Sequence, residues 1–191
     1  MLIFVVVLGY LLGSIPTAYI AGYLIKGDDI RQRGDGNMGA QNAFCQLGVK
    51  TGLTVGIIDA AKGALAIFIA YAVNTPQLAV LLVGIAAVIG HNWPIFLGFR
   101  GGRGESTTIG VLLVIITVPM LIVGGITIAV LLKTKDVIKA SVVLFVPLPF
   151  ICWWIAAPGL LIAYSIFLPC IVGFTHYIRT RQKLMSATTI T

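Results

Sequence analysis

From Leu2 to Ile25 the chain carries no charged residue, and three further runs without Asp, Glu, Lys or Arg follow, 63–99, 106–132 and 140–178. A bilayer core about 30 Å thick is crossed by about 20 apolar residues at 1.5 Å each. In lipid every backbone polar group needs an internal partner, which a helix supplies along its own length. Charged residues make up only 10% of the 191, against roughly 25% in a soluble domain, and mean hydropathy is +1.05. The chain is therefore expected to be an all-α polytopic membrane protein. One transmembrane domain should span 1–191, with no room for a second of any size. No basic residues precede Leu2, so the first run reads as a span and not a cleaved signal. Cys45, Cys152 and Cys170 are odd in number and scattered, which suggests neither a disulfide framework nor a metal site.

Gly13-Ser14-Ile15-Pro16 interrupts the first run. Proline lacks an N–H, so a kink is expected there, buried against protein or a polar cavity. A second span, about 52–73, contains Asp59 and Lys62, three apart on one helix face. Charges inside a span are costly and mark function, or a structural ion pair between helices. A third span, about 78–89, ends at His91.

Ser106 to Leu132 is either one tilted helix of about 40 Å or a hairpin of two helices of about 13 residues, broken near Val118-Pro119. Charge decides between them. The basic residues outside spans are Lys26, Arg31, Arg33 and Lys50; Arg100 and Arg103; Lys133, Lys135 and Lys139; Arg179, Arg181 and Lys183. A single helix splits these groups evenly between the two sides, whereas a hairpin puts all of them on one side. The positive-inside rule selects the hairpin. The expected topology is seven transmembrane helices, two of them short, with the last two near 138–156 and 159–177. The N-terminus lies outside. Cytosolic loops fall at about 26–51, 90–105 and 133–138, followed by a tail at 178–191. The net charge of +7 is then loop sidedness, and no nucleic-acid partner is implied.

Three polar elements meet on that face. One is the loop whose centre runs from Arg31 to Asn42, dense in glycine, amide and charge. Another runs from Gly90 to Ser106, with Arg100, Arg103 and glycines at 98, 101, 102 and 104. The third is the basic tail with His176. Glycine allows tight turns around a ligand, and a turn feeding a helix N-terminus favours an anion, most naturally a phosphate. Guanidiniums strengthen that reading. A G-x-S-x-G elbow, a true Walker A ending, a His-x₄-Asp pair and Cys/His metal spacing are all absent. What remains suits group transfer from a phosphate-bearing donor, driven by positioning and electrostatics.

Gly13-Ser14-Ile15-Pro16, Gly34-x-Gly36-Asn37-x-Gly39-Ala40-x-Asn42, Asp59-x-x-Lys62-Gly63 and Gly90-His91-x-Trp93-Pro94-x-Phe96-x-x-Phe99-Arg100-Gly101-Gly102-Arg103-Gly104 occur in that order. Together they resemble the successive motifs of the bacterial acyl-phosphate:glycerol-3-phosphate acyltransferases of the PlsY type. The resemblance implies a seven-helix inner-membrane enzyme that moves a fatty acyl group from acyl phosphate to glycerol 3-phosphate. The product would be lysophosphatidic acid, the first acylation of phospholipid synthesis. No metal or coenzyme A is implied. The candidate catalytic residues on this reading are His91, Arg103 and His176. Arg100, Gly101, Gly102, Arg103, Gly104 and Ser106 would bind acyl phosphate. Asp35, Gly36, Asn37, Asn42, Lys62 and Arg179 would bind glycerol 3-phosphate.

The chain departs from that pattern at several places. Asp35 and Gln41 stand where the family usually has Ser and Thr, and Cys45 where it has arginine. Arg100 and Arg103 replace lysines, and Gly104-Glu105-Ser106-Thr107 replaces Gly-Val-Ala-Thr. Arg179 replaces an asparagine. A carboxylate beside a phosphate repels it unless paired, and Arg31 and Arg33 are the cations adjacent in sequence. Two rival readings stay open on sequence grounds. One is a non-catalytic relative binding phospholipid precursors; the other is an anion or proton-coupled transporter built on Asp59 and Lys62.

Overall fold

The computed structural model describes residues 1–188, and positions 189–191 of the expected tail lie outside the described residues. Among these it is all helix. α1 (Leu2–Gly13) and α2 (Thr17–Lys26) form the first crossing, with the interruption at 14–16 where Pro16 was expected to kink it. A short 3-10 turn, Ile30–Gln32, and α3 (Ala40–Leu47) lie within the expected polar loop. α4 (Val49–Ala72) and α5 (Gln77–Asn92) follow, and a second 3-10 turn at Ile95–Leu97 leads to α6 (Glu105–Ile115). The remainder is α7 (Thr117–Thr134), α8 (Val137–Phe145), α9 (Leu148–Trp154) and α10 (Gly159–Thr188). The expected tail, from 178 to 188, thus continues the last helix.

Among the described residues six segments are long and apolar enough to cross a membrane: Leu2–Lys26, Val49–Ala72, Gln77–Leu97, Thr117–Thr134, Val137–Trp154 and Gly159–Gln182. α6, with 11 residues, reaches only about 16 Å. The expected pair of short helices is therefore one short helix and one of 18 residues. The break lies at Ile116 (φ −129°, ψ 59°) and not at Val118-Pro119. The physical reason is that Pro119 sits in the first turn of α7, where its missing N–H has no intrahelical bond to lose. The hairpin itself is present, because Ser141 of α8 donates to Glu105 at the head of α6. The basic group at 133–139 therefore lies at the same end as Arg100 and Arg103.

The bundle is inverted relative to a soluble protein: Phe4, Leu24, Trp153 and Trp154 are each at least 70% exposed, as a lipid-facing surface requires. Helices meet where side chains are smallest. A Cβ at Gly13 would collide with the Ala87 carbonyl of α5, and one at Gly110 with the Ala60 carbonyl of α4. Close backbone approach of this kind replaces the hydrophobic drive that lipid removes. One apolar core joins Val5, Ile67, Val83, Leu112, Leu148 and Leu168. A second, smaller one joins Ala18, Ile30, Met38, Ala43 and Val55. The second fastens the polar loop onto α2 and α4, and that holds the site in place.

Candidate active site

The glycine-rich turn after α5 is fixed by its own backbone. Gly102 N–H donates to the His91 carbonyl at 3.1 Å and Gly101 N–H to the Asn92 carbonyl at 3.2 Å. These two donors, expected to cradle a phosphate, instead cap the last carbonyls of α5. Gly104 is left-handed (φ +84°) and opens α6, whose first intrahelical bond is Thr108 N–H to the Gly104 carbonyl. The N–H groups of Glu105, Ser106 and Thr107 precede that ladder and make a partly positive helix end. Arg103 stands just before it. Glu105 is turned toward Ser141 of α8, while Ser106 faces Gly56 of α4.

Arg103 and Asp35 form an ion pair across the two loops, Nη2 to Oδ2 at 3.1 Å. The partner of Asp35 is thus Arg103, and neither Arg31 nor Arg33. Those two are taken by nearer carboxylates: Arg31 by Asp29 at 2.7 Å and Arg33 by Asp28 at 2.6 Å. The Arg31 guanidinium holds the Asp29 carboxyl below the usual range, chiefly through their side-chain hydrogen bonds. Arg31 also reaches the Leu97 carbonyl at 3.3 Å and lies over the Tyr19 ring, so it joins the two loops. The Arg103 Nε is buried with no hydrogen-bond partner.

Asn42 is buried, and its amide donates to the carbonyls of Ile30, Arg33 and Asn37 at 2.9–3.3 Å. Its role is to hold the 30–37 loop. Gly36 adopts φ +75° in that loop, and Asn37 Oδ1 is buried without a partner. Lys62 is likewise spent. Its ammonium lies 2.7 Å from Asp59 and donates to the Ile15 carbonyl at 2.8 Å, beside the interruption in the first crossing. Asp59 also accepts from Thr17 at 2.9 Å, and His91 Nδ1 stands 3.1 Å from Thr107 Oγ1 and 3.7 Å from Asp59. A Cβ at Gly102 would strike the His91 ring. Asp59, Lys62 and His91 are therefore a buried polar cluster behind the turn, which they support.

A cavity of about 460 Å³ opens between this turn and α10, walled by Trp93, Phe99, Arg100, Thr175, Ile178, Arg179 and Gln182. One wall is cationic, another aromatic. Arg179 donates to the Asn92 carbonyl at 2.9 Å and lies within electrostatic reach of Arg100 and Arg103. His176 lies within such reach of Arg103 and Asp35. The structure thus puts Arg100 and Arg179 in the cavity wall, with the Arg103–Asp35 pair within electrostatic reach of His176, and Arg103 within reach of Arg179. It sets Asn42, Lys62 and His91 behind it. Asn92 and Gln182 are absent from the sequence-based candidates. Asn92 is fully buried, donates to Thr175 at 3.0 Å and keeps Oδ1 unpartnered. An amide next to His91 at the end of an apolar run was the available signal.

The family model for glycerol-3-phosphate acyltransferase matches residues 3–186. The chain belongs to the glycerol-3-phosphate acyltransferase family. It is 54% identical over 178 residues to "Glycerol-3-phosphate acyltransferase 4" of Dehalococcoides mccartyi, covering 93% of this chain and 96% of that protein. It is 41% identical over 152 residues to "Glycerol-3-phosphate acyltransferase 2" of Moorella thermoacetica, covering 80% and 78%. The crystal structure of PlsY (YgiH), an integral membrane glycerol 3-phosphate acyltransferase, in its glycerol 3-phosphate form superposes with a TM-score of 0.85 at 28% identity. That match covers 97% of this chain and 92% of the other. The lysophosphatidic acid form gives 0.79 at 26%, with the same coverage. The chain is an integral, multi-pass membrane member of this family.

Proposed function

We propose that the chain transfers a fatty acyl group from acyl phosphate to glycerol 3-phosphate, giving lysophosphatidic acid and inorganic phosphate. The observation that carries this reading is Arg103. It is a guanidinium with an unfilled Nε donor at the head of a helix, within electrostatic reach of Arg179, which walls a cavity together with Arg100, Trp93 and Phe99. The donor phosphate lies against Arg103 and the N-terminus of α6, whose free N–H groups face it, while Ser106 stays turned to α4. Gly101, Gly102 and Gly104 shape the turn. Glycerol 3-phosphate is held by Arg179 and His176 with the 35–37 loop, and Arg100 adds positive charge. Trp93 and Phe99 flank the acyl chain where it leaves toward lipid.

The hydroxyl oxygen of glycerol 3-phosphate attacks the acyl carbonyl carbon. The new C–O bond forms as the bond to phosphate breaks. Phosphate leaves with the electron pair and takes up the hydroxyl proton. Arg103 stabilises the charge that grows on the leaving group. Asn42, Lys62 and His91 act as positioning residues for the two loops.

Turnover is the test. The purified chain in detergent, given acyl phosphate, should release inorganic phosphate only when glycerol 3-phosphate is present, and lysophosphatidic acid should appear by mass spectrometry. Folded protein that binds phosphate without turnover would sink the transfer reading in favour of a non-catalytic relative.

We further propose seven membrane segments, α6 being the short one, with the N-terminus outside and the site facing the bacterial cytosol. The common end of the basic groups supports this. Cys45 is exposed on α3 at that end. A membrane-impermeant thiol reagent should label it in inverted vesicles and spare it in intact cells; the opposite pattern would reverse the orientation.

A further inference from the structure

We propose that Asp35 is an internal competitor for phosphate: its carboxylate holds Arg103 in the empty site and must be displaced when a phosphate binds. The inference rests on Arg103 being the phosphate ligand of the transfer reading.

Three observations carry it. The pair is a single contact, Nη2 to Oδ2 at 3.1 Å, unlike Arg31 on Asp29, where Nε and Nη2 both engage the carboxylate. Arg103 therefore keeps its buried Nε unfilled, and a tetrahedral phosphate can take Nε and Nη2 together as a fork. The pair is also open to solutes, with side chains 19% and 35% exposed. Finally, the carboxylate is held in place, because Asn37 N–H donates to Oδ1 at 3.0 Å. The other carboxylates nearby have partners of their own: Asp28 with Arg33, Asp29 with Arg31, Asp59 with Lys62, and Glu105 with the Ser141 hydroxyl. Asp35 is the one paired with Arg103.

The consequence is a weaker hold on every phosphate that visits the site. A phosphate on Arg103 displaces Asp35 and then faces its negative charge at close range. Binding is loosened, and release of the inorganic phosphate product is hastened.

The test uses inorganic phosphate as the probe, titrated onto the purified full-length protein, with the thermal unfolding midpoint as the binding readout. Asp35→Asn should bind phosphate on the order of fivefold more tightly, the effect of removing one unit charge a few ångströms away in a solvated setting. Asp35→Ser should do the same and guards against a fault particular to the amide. In an Arg103→Ala background the gain should vanish. Equal or weaker phosphate binding by both Asp35 variants, with unfolding midpoints matching the wild type without phosphate, overturns the proposal and leaves the transfer reading intact. A gain that persists without Arg103 also overturns it. Because the readout needs no turnover, an inactive protein that shows the gain supports this proposal while removing the transfer reading.

Discussion

Arg103→Ala should lower kcat/KM for acyl transfer by about 10²- to 10³-fold while the purified protein keeps its elution profile and unfolding midpoint. That range is the effect of removing one donor aimed at charge that develops in the transition state. The variant should fold, because Arg103 bridges two loops already tied by Arg31 to the Leu97 carbonyl and by Asn42 within the first loop. Arg103→Lys should recover part of the rate. A lysine restores the charge and not the fork, and so separates the two contributions. Activity retained in full by Arg103→Ala would withdraw the residue from the donor site.

The second large effect falls on stability. Lys62→Met should destabilise the bundle by about 3–5 kcal/mol, because it strands a buried carboxylate. Asp59 is 1% exposed and its Oδ2 has no partner even now, so nothing nearby can take over from the ammonium except Thr17 and His91. The double variant Asp59→Asn with Lys62→Met should regain much of the loss, since no unpaired charge remains. The measurement is the unfolding midpoint in one detergent for all three proteins. A single variant as stable as the wild type would mean that the pair holds nothing together.

Much of the architecture could be read from the chain because lipid leaves few choices. Uncharged runs become helices, and the sidedness of lysine and arginine forces a hairpin at 106–132. Proline was a less direct guide. Pro119 marks the first turn of the helix it opens and not the last turn of the helix before it, so the break lies at Ile116. Within the site, the residue types were readable and their partners were not. Arg31 and Arg33 sit next to Asp35 in sequence, yet Arg31 is taken by Asp29, two residues before it, and Arg33 folds back to Asp28, five residues before it. That leaves Asp35 to a residue of the other glycine-rich loop. Lys62 looked free for a substrate because its second acceptor, the Ile15 carbonyl, appears only where the first crossing is interrupted. Asn42 carries an amide of the kind that binds ligands, but a loop with three carbonyls turned inward consumes it first. Pairing across loops depends on how helices dock, and local pattern does not encode that.

The Gly101 and Gly102 amides that close onto α5 have one more implication. A donor turn built as the finishing cap of a rigid helix has lost its backbone freedom when the protein folds. A phosphate bound there as proposed would meet a surface already in shape, and its binding energy would not be diverted into ordering the chain.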